Sequence, residues 1–86
     1  LQPEEPSIVD SMGWVAYRLG RLAEAEEFLG KAWGLDRNAE IAAHLGEVLW
    51  VSGKQDEAMK VWREGAEIDA DNAVLVETLD RLGIDL

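Results

Sequence analysis

The chain has 86 residues, which is room for one small domain and excludes a two-domain enzyme. It has no cysteine, which excludes disulfides and thiolate metal sites, and 48% of its residues are hydrophobic, too many for a disordered chain. Its formal charge of −10 opposes binding to nucleic acids and to anionic membrane surfaces, and no apolar run reaches the roughly 18 to 20 residues of a spanning helix. We therefore expect one packed, soluble domain over residues 1–86, with no direct insertion into a membrane.

Five segments carry apolar residues at helical spacing, and the residues that flank them suit helix ends. Pro6 suits the first turn of a helix, and Gly20 and Gly53 follow the first and third segments, where glycine readily takes the left-handed conformation that ends a helix. The predicted helices are Ser7–Leu19, Leu22–Leu35, Ala39–Ser52, Gln55–Ile68 and Ala73–Leu82. No segment alternates apolar and polar residues for long, so the predicted fold class is all-α.

The sequence also repeats itself with an offset of 33 residues. The identical pairs at this offset are Ile8 and Ile41, Gly13 and Gly46, Gly20 and Gly53, Glu24 and Glu57, Ala25 and Ala58, and Asp36 and Asp69. The offset predicts a first helical hairpin at 6–38, a second at 39–71, and a capping helix with a short tail at 72–86.

These residues make the chain resemble the tetratricopeptide repeat, whose unit is a helix pair of about 34 residues. The matching positions are Met12, Gly13, Tyr17, Gly20, Ala25, Leu29 and Ala32 in the first repeat, and Leu45, Gly46, Trp50, Gly53, Ala58, Trp62 and Gly65 in the second. The chain departs from the pattern at Val9 and Ala42, where an aromatic is expected, at Arg37 and Ala70, where a proline is expected, and at Gly65, which replaces an alanine. The resemblance implies two hairpins and a capping helix in a right-handed α-solenoid, as in the C-terminal repeats of larger bacterial proteins.

Small residues are expected where antiparallel helices approach closely. Gly13 against Ala25 and Gly46 against Ala58 fit that requirement. The last helix then covers the open apolar face of the second hairpin with Leu75, Leu79 and Leu82, as the end of a stacked array requires.

The resemblance places function on a concave face, lined by the first helix of each repeat. Helical spacing puts nine residues on one stripe: Asp10, Trp14, Tyr17, Arg18, Ala43, Glu47, Trp50, Val76 and Asp80. This concave stripe is aromatic with an acidic rim, which favours a basic or apolar peptide or helix as partner. Alternatively, Trp14, Tyr17 and Trp50 are partly core residues between neighbouring first helices.

One subclass of the family grips C-terminal carboxylates with basic and amide side chains on this face. The matching positions here hold Asp10, Trp14, Ala43 and Glu47, so that clamp is absent.

Catalytic patterns are sparse. His44 is the single histidine, so a cluster of histidine ligands cannot form, and no nucleophile lies beside it in a known motif. It precedes Glu47 by three residues on the same helix, within reach of a hydrogen bond. The glycines form no phosphate-binding loop, and no cofactor is expected.

Three roles remain for a non-catalytic chain. The first is a protein-binding scaffold or adaptor that holds a partner on the concave stripe. The second is a structural segment that caps a longer array or forms a homodimer, since about three repeats are usually needed for stability. The third is a binder of a small molecule or metal, for which no residues converge in the sequence. The chain begins with Leu1 rather than Met, which indicates a segment of a longer protein, either cytoplasmic or in the bacterial periplasm or envelope.

Overall fold

The computed structural model describes residues 5–86, which form five helices and, within this range, no strand. The helices are α1 (Pro6–Arg18), α2 (Leu22–Leu35), α3 (Ala39–Val51), α4 (Gln55–Asp69) and α5 (Ala73–Leu82). The all-α prediction is confirmed, and α2 and α5 have the predicted bounds. The other three helices differ by one residue: α1 begins and ends one residue early, α3 ends one early and α4 ends one late. The first four residues of the predicted domain lie outside the described range.

The helix ends follow from local chemistry. Gly20 and Gly53 have φ of +82° and +88°, the left-handed conformation predicted for them. The Asn38 side chain accepts a hydrogen bond from the backbone N–H of Ile41 at 2.8 Å and thereby caps the N-terminus of α3. The Asn72 side chain caps α5, because its Oδ1 accepts from the backbone N–H groups of Val74 and Leu75 at 3.0 and 3.1 Å.

The helices pack as two antiparallel hairpins, α1 with α2 and α3 with α4. The hairpins meet mainly through α2 and α3, and α5 packs chiefly on α3. The central helix α3 therefore has neighbours on most sides. Its buried residues are Ala39, Ile41, Ala42, Ala43, Leu45, Gly46, Glu47, Val48 and Leu49.

Gly13 and Gly46, predicted at the close approach of the hairpin helices, each lie against a large side chain of the partner helix. A Cβ on Gly46 would fall within the indole ring of Trp62, and one on Gly13 would lie 2.6 Å from Cγ of Leu29. Each glycine makes room for the bulky residue one helical turn beyond the alanine predicted opposite it. Gly65 instead allows a close approach of α4 to a small residue of α3, since a Cβ there would lie 2.6 Å from that of Ala42.

The C-terminal helix covers the second hairpin as predicted. Leu75 is fully buried, and Leu79 and Leu82 are partly buried against the core. Two tryptophans complete the core: Trp62 is fully buried in the second hairpin and Trp33 is 7% exposed in the first. None of the helices in residues 5–86 has the length and apolar character needed to cross a bilayer.

Candidate functional site

The predicted concave stripe runs over three helices that are neighbours in the fold, α1, α3 and α5. Its members differ in exposure. Asp10, Ala43 and Glu47 are buried, Trp14, Tyr17 and Trp50 are half-buried, and Arg18, Val76 and Asp80 are exposed. Direct polar contacts bring two of the predicted residues together, Tyr17 and Glu47.

The carboxylate of Glu47 is the centre of a polar cluster that joins three helices. The Tyr17 hydroxyl donates a hydrogen bond to it at 2.8 Å from α1. The Arg81 guanidinium donates two more from α5, at 2.6 and 3.2 Å, in a bidentate arrangement. Because Glu47 is 4% exposed, these donors compensate for the lost hydration of its charge.

The same contacts shift two ionisation equilibria. Burial, together with the hydrogen bond to Glu47, raises the pKa of Tyr17 from 10.0 to about 12, because ionising the phenol would place a second anion beside the carboxylate. The hydrogen bond to Glu47 also raises the pKa of Arg81 above its usual value, against the opposing effect of desolvation. Near neutral pH the Tyr17 phenol is therefore neutral and the Arg81 guanidinium is cationic.

A second polar contact links α1 to α3. Nδ1 of His44 lies 2.9 and 3.1 Å from the two carboxylate oxygens of Asp10, and the Trp14 ring stacks on the imidazole with centroids 4.3 Å apart. The structure thus pairs His44 with Asp10 and not with Glu47, the partner that its own helix suggests. Both side chains of the pair are mostly buried, with 13% of His44 and 10% of Asp10 exposed.

Glu40 adds a third potential metal ligand at this place. The donor atoms of Asp10, Glu40 and His44 lie within 4.8 Å of one another, close enough for the three residues to hold one metal ion. Glu40 precedes His44 by one helical turn on α3 and is exposed, whereas Asp10 is buried.

The aromatic residues of the stripe are both core and surface. Tyr17 and Trp50 pack against the hydrophobic core while staying partly exposed, and the ring of Trp50 lies 5.7 Å from that of buried Trp62. Trp14 lies 4.9 Å from Tyr17, at a tilt of 37°. The core interpretation therefore holds in part for Tyr17 and Trp50, and each of the three aromatic side chains keeps an exposed portion.

The acidic rim differs from the prediction. Asp10 and Glu47 are buried and have hydrogen-bond partners, so neither presents a free carboxylate to solvent. Asp80 remains exposed on α5, where it lines an open depression with Val76 and Arg81. The accessible surface of the stripe is therefore less acidic than the sequence indicated, because the most central carboxylates serve the fold.

Arg81 is not among the residues that helical spacing places on the concave stripe, although it binds Glu47. A signal for it exists: Glu47 and Arg81 are 34 residues apart, as are Asp10 and His44. A separation of 34 residues, one more than the repeat offset of 33, thus connects facing positions on α1 and α3 and on α3 and α5. Complementary charges at that separation indicate a contact.

A second surface lies on the outer side of α1. Four apolar residues there are 46 to 65% exposed: Ile8, Met12, Val15 and Leu19. Together with α2 they line a groove of about 560 Å³. We call it the α1 groove.

Comparison with known proteins finds one segment of similarity to a repeat protein. No protein-family model matches the chain. PA4667 of Pseudomonas aeruginosa, described as a TPR repeat-containing protein, is 53% identical over 47 residues. The tetratricopeptide resemblance is confirmed. The matched segment covers 55% of this chain but 8% of the relative. The relative is therefore a far longer protein, and the match concerns a small part of it.

Proposed function

We propose that the chain is a non-catalytic protein-interaction module that binds a peptide or helix of a partner on its concave stripe. The observation that carries the proposal is the row of half-buried aromatic side chains Trp14, Tyr17 and Trp50 on neighbouring helices. Aromatic side chains offer a large contact area at low entropic cost and dominate many protein interfaces.

The partner segment is apolar or basic. The net charge of −10 disfavours an acidic partner and opposes nucleic acid. Because Asp10 and Glu47 already have partners, apolar contact with the aromatic rings contributes more to affinity than ion pairing does. Asp80, at the exposed edge on α5, is the stripe residue best placed to attract a cationic side chain.

A scaffold role fits the chemistry of the site better than catalysis does. The single histidine is hydrogen-bonded to Asp10 and stacked on Trp14, and Ser11 donates its hydroxyl proton to the backbone carbonyl of Ser7. Neither arrangement activates a nucleophile. We propose the same module whether the parent protein is cytoplasmic or lies in a bacterial periplasm or envelope.

A peptide library displayed on phage tests the proposal. We expect peptides selected on the chain to be apolar or basic and to lose at least tenfold in affinity with Trp14→Ala, the size of a typical aromatic hot spot. The stability of that variant should stay within about 1 kcal/mol of the parent. Leu35→Ala is the control, because Leu35 is 47% exposed on α2, away from the stripe. Equal binding by Trp14→Ala and the parent would contradict the proposal.

A second candidate function is structural. The segment closes one end of a longer repeat array, or it associates with itself. The fully buried Leu75 on a helix whose other face is charged favours the first form, since a terminal helix of an array needs one apolar and one polar side.

A further inference from the structure

Three potential metal ligands meet where the first hairpin contacts the second. Asp10 comes from α1, and Glu40 and His44 come from α3. Nδ1 of His44 lies 2.9 and 3.1 Å from the two carboxylate oxygens of Asp10, and with Glu40 the donor atoms all lie within 4.8 Å of one another. We call these three residues the His44 cluster. The fold thus gathers ligands that do not converge in the sequence.

The packing of the repeats does not require these three residues. The offset of 33 residues maps the His44 cluster onto Ala43, Ala73 and Glu77, at the junction between α3 and α5. There Ala43, the counterpart of Asp10, is fully buried. A methyl group thus fills this place at one junction, whereas the other junction buries a carboxylate, whose desolvation is costly unless it is compensated. The His44 cluster is therefore specific to the junction between α1 and α3.

The two carboxylates of the cluster lack a permanent positive charge beside them. The Asp10 side chain is 10% exposed, and its partner His44 is charged only when protonated. Within residues 5–86, no lysine or arginine forms an ion pair with Asp10 or Glu40. Like charges less than 5 Å apart repel each other, and a cation bound between them removes that repulsion. The electrostatics of the cluster therefore favour a bound cation.

The donor atoms suit a divalent transition-metal ion. Imidazole together with carboxylate favours ions such as Zn²⁺, whereas Ca²⁺ and Mg²⁺ prefer oxygen ligands alone. A tetrahedral Zn²⁺ ion separates neighbouring donor atoms by about 3.4 Å, given its bond lengths of about 2.1 Å. To reach this spacing, the contact of 2.9 Å between Asp10 and His44 opens slightly, and the exposed Glu40 side chain turns inward. Three protein ligands leave a fourth position for water.

We propose that the His44 cluster binds one divalent transition-metal ion, which cross-links α1 to α3 at the edge of the concave stripe. The Trp14 ring stacks on the imidazole with centroids 4.3 Å apart and thereby fixes its orientation. Solvent reaches the cluster from the side of Glu40, which is exposed, so an ion has a path of entry. The proposal goes beyond the protein-interaction role and does not depend on it.

Isothermal titration calorimetry with Zn²⁺, on the chain without added histidines, tests the proposal. We expect saturation at one ion per chain. At a free Zn²⁺ concentration 100 times Kd, Tm should rise by about 10 °C or more over its value in EDTA. His44 is the only histidine of the sequence, so its ring proton signals in NMR should shift with the same saturation. Mg²⁺ at equal concentration should change neither Tm nor these signals.

Glu40→Gln is the most informative variant, because Glu40 is exposed and its replacement leaves the fold intact. It should keep Tm in EDTA unchanged and weaken Zn²⁺ binding at least tenfold, since even an indirect partner of a bound metal contributes that much. His44→Gln should weaken binding by at least as much. Glu67→Gln is the matched control, an equal charge change at an exposed residue of α4, and it should leave Kd unchanged.

Three results would overturn the inference. They are the absence of saturable Zn²⁺ binding, a Kd that Glu40→Gln and His44→Gln leave unchanged, which would assign the ion to other carboxylates, and an equal rise in Tm with Mg²⁺. Peptide binding at Trp14 is measured in EDTA. Failure of the metal proposal therefore leaves the concave-stripe proposal standing, and the reverse also holds.

Discussion

At the scale of single residues, the contact between Gly46 and Trp62 decides how closely α3 and α4 approach. The indole lies where a side chain at position 46 would begin, and its N–H points to the carbonyl of Ala43 at 3.4 Å. A fully buried tryptophan contributes much of the apolar area of so small a core. The glycine is therefore required by packing, since its helical backbone needs no positive φ.

Gly46→Ala should destabilise the chain by about 1 to 3 kcal/mol, because the added methyl group overlaps the Trp62 ring and forces the helices apart. Denaturant unfolding followed by circular dichroism measures the change. Gly30→Ala is the matched control: a Cβ there meets open space, so the same substitution should stabilise the helix by about 0.5 to 1 kcal/mol. Equal effects at the two glycines would contradict this account of the packing.

At the scale of elements, the helices owe their bounds to short-range signals. Gly20 and Gly53 were predictable because glycine takes a positive φ without steric cost, and both helices stop beside them. Pro6 begins α1 at the position where a missing N–H costs nothing. Contacts between helices were harder to predict, because the orientation of a side chain such as Arg81 depends on the axial position of α5 against α3, which local sequence does not determine.

The capping helix is the element most dependent on its own N-cap. It has 10 residues, fewer than the roughly 12 to 15 at which an isolated helix becomes marginal in water. Asn72→Ala removes two side-chain hydrogen bonds at its first turn and should cost about 1 kcal/mol in unfolding free energy.

Asp71→Ala is the control for that cap, because it changes the neighbouring residue and leaves Asn72 in place. The backbone N–H of residue 71, which donates to the Asp69 side chain, is retained in this variant. Hydrogen exchange of the α5 amides gives the local readout. They should exchange faster in Asn72→Ala than in Asp71→Ala, and indistinguishable rates would show that the cap does not hold the helix.

At the scale of the whole molecule, the Glu47 cluster connects the first helix, the central helix and the last. The concave stripe was predictable as a set of positions, because helical spacing fixes which residues share a face. The burial of Asp10 and Glu47 was not predictable. In the sequence these carboxylates indicate a solvated rim, and they become buried only when the neighbouring helices pack together. Loss of Arg81 is costly because it leaves the buried Glu47 carboxylate without its cationic partner, although the Arg81 side chain itself is 45% exposed.

The stability of the chain at alkaline pH depends on the contact between Tyr17 and Glu47. The folded pKa of Tyr17, about 12, lies above its unfolded value of 10.0. The contribution of the phenol is therefore fully present below pH 10.0 and is lost as pH rises through about 12. Tyr17 is the only tyrosine of the sequence, so tyrosinate absorbance follows this one group.

We expect a titration midpoint near pH 12 for the parent chain and a lower midpoint, closer to 10.0, for Glu47→Gln. Glu57→Gln, an exposed change on α4, should leave it in place. A parent midpoint at the ordinary value would mean that the phenol is not bound to the carboxylate in solution.

The four tryptophans are divided evenly between the hairpins, with Trp14 and Trp33 in the first and Trp50 and Trp62 in the second. Each hairpin thus carries its own intrinsic fluorophores. Replacing the pair in one hairpin with phenylalanine makes the remaining emission report on the other hairpin alone. Coincident unfolding curves from the two hairpins would mean that they unfold as one cooperative unit. Separated curves would mean that they unfold in separate steps, and the gap between the curves would measure how strongly the hairpins are coupled.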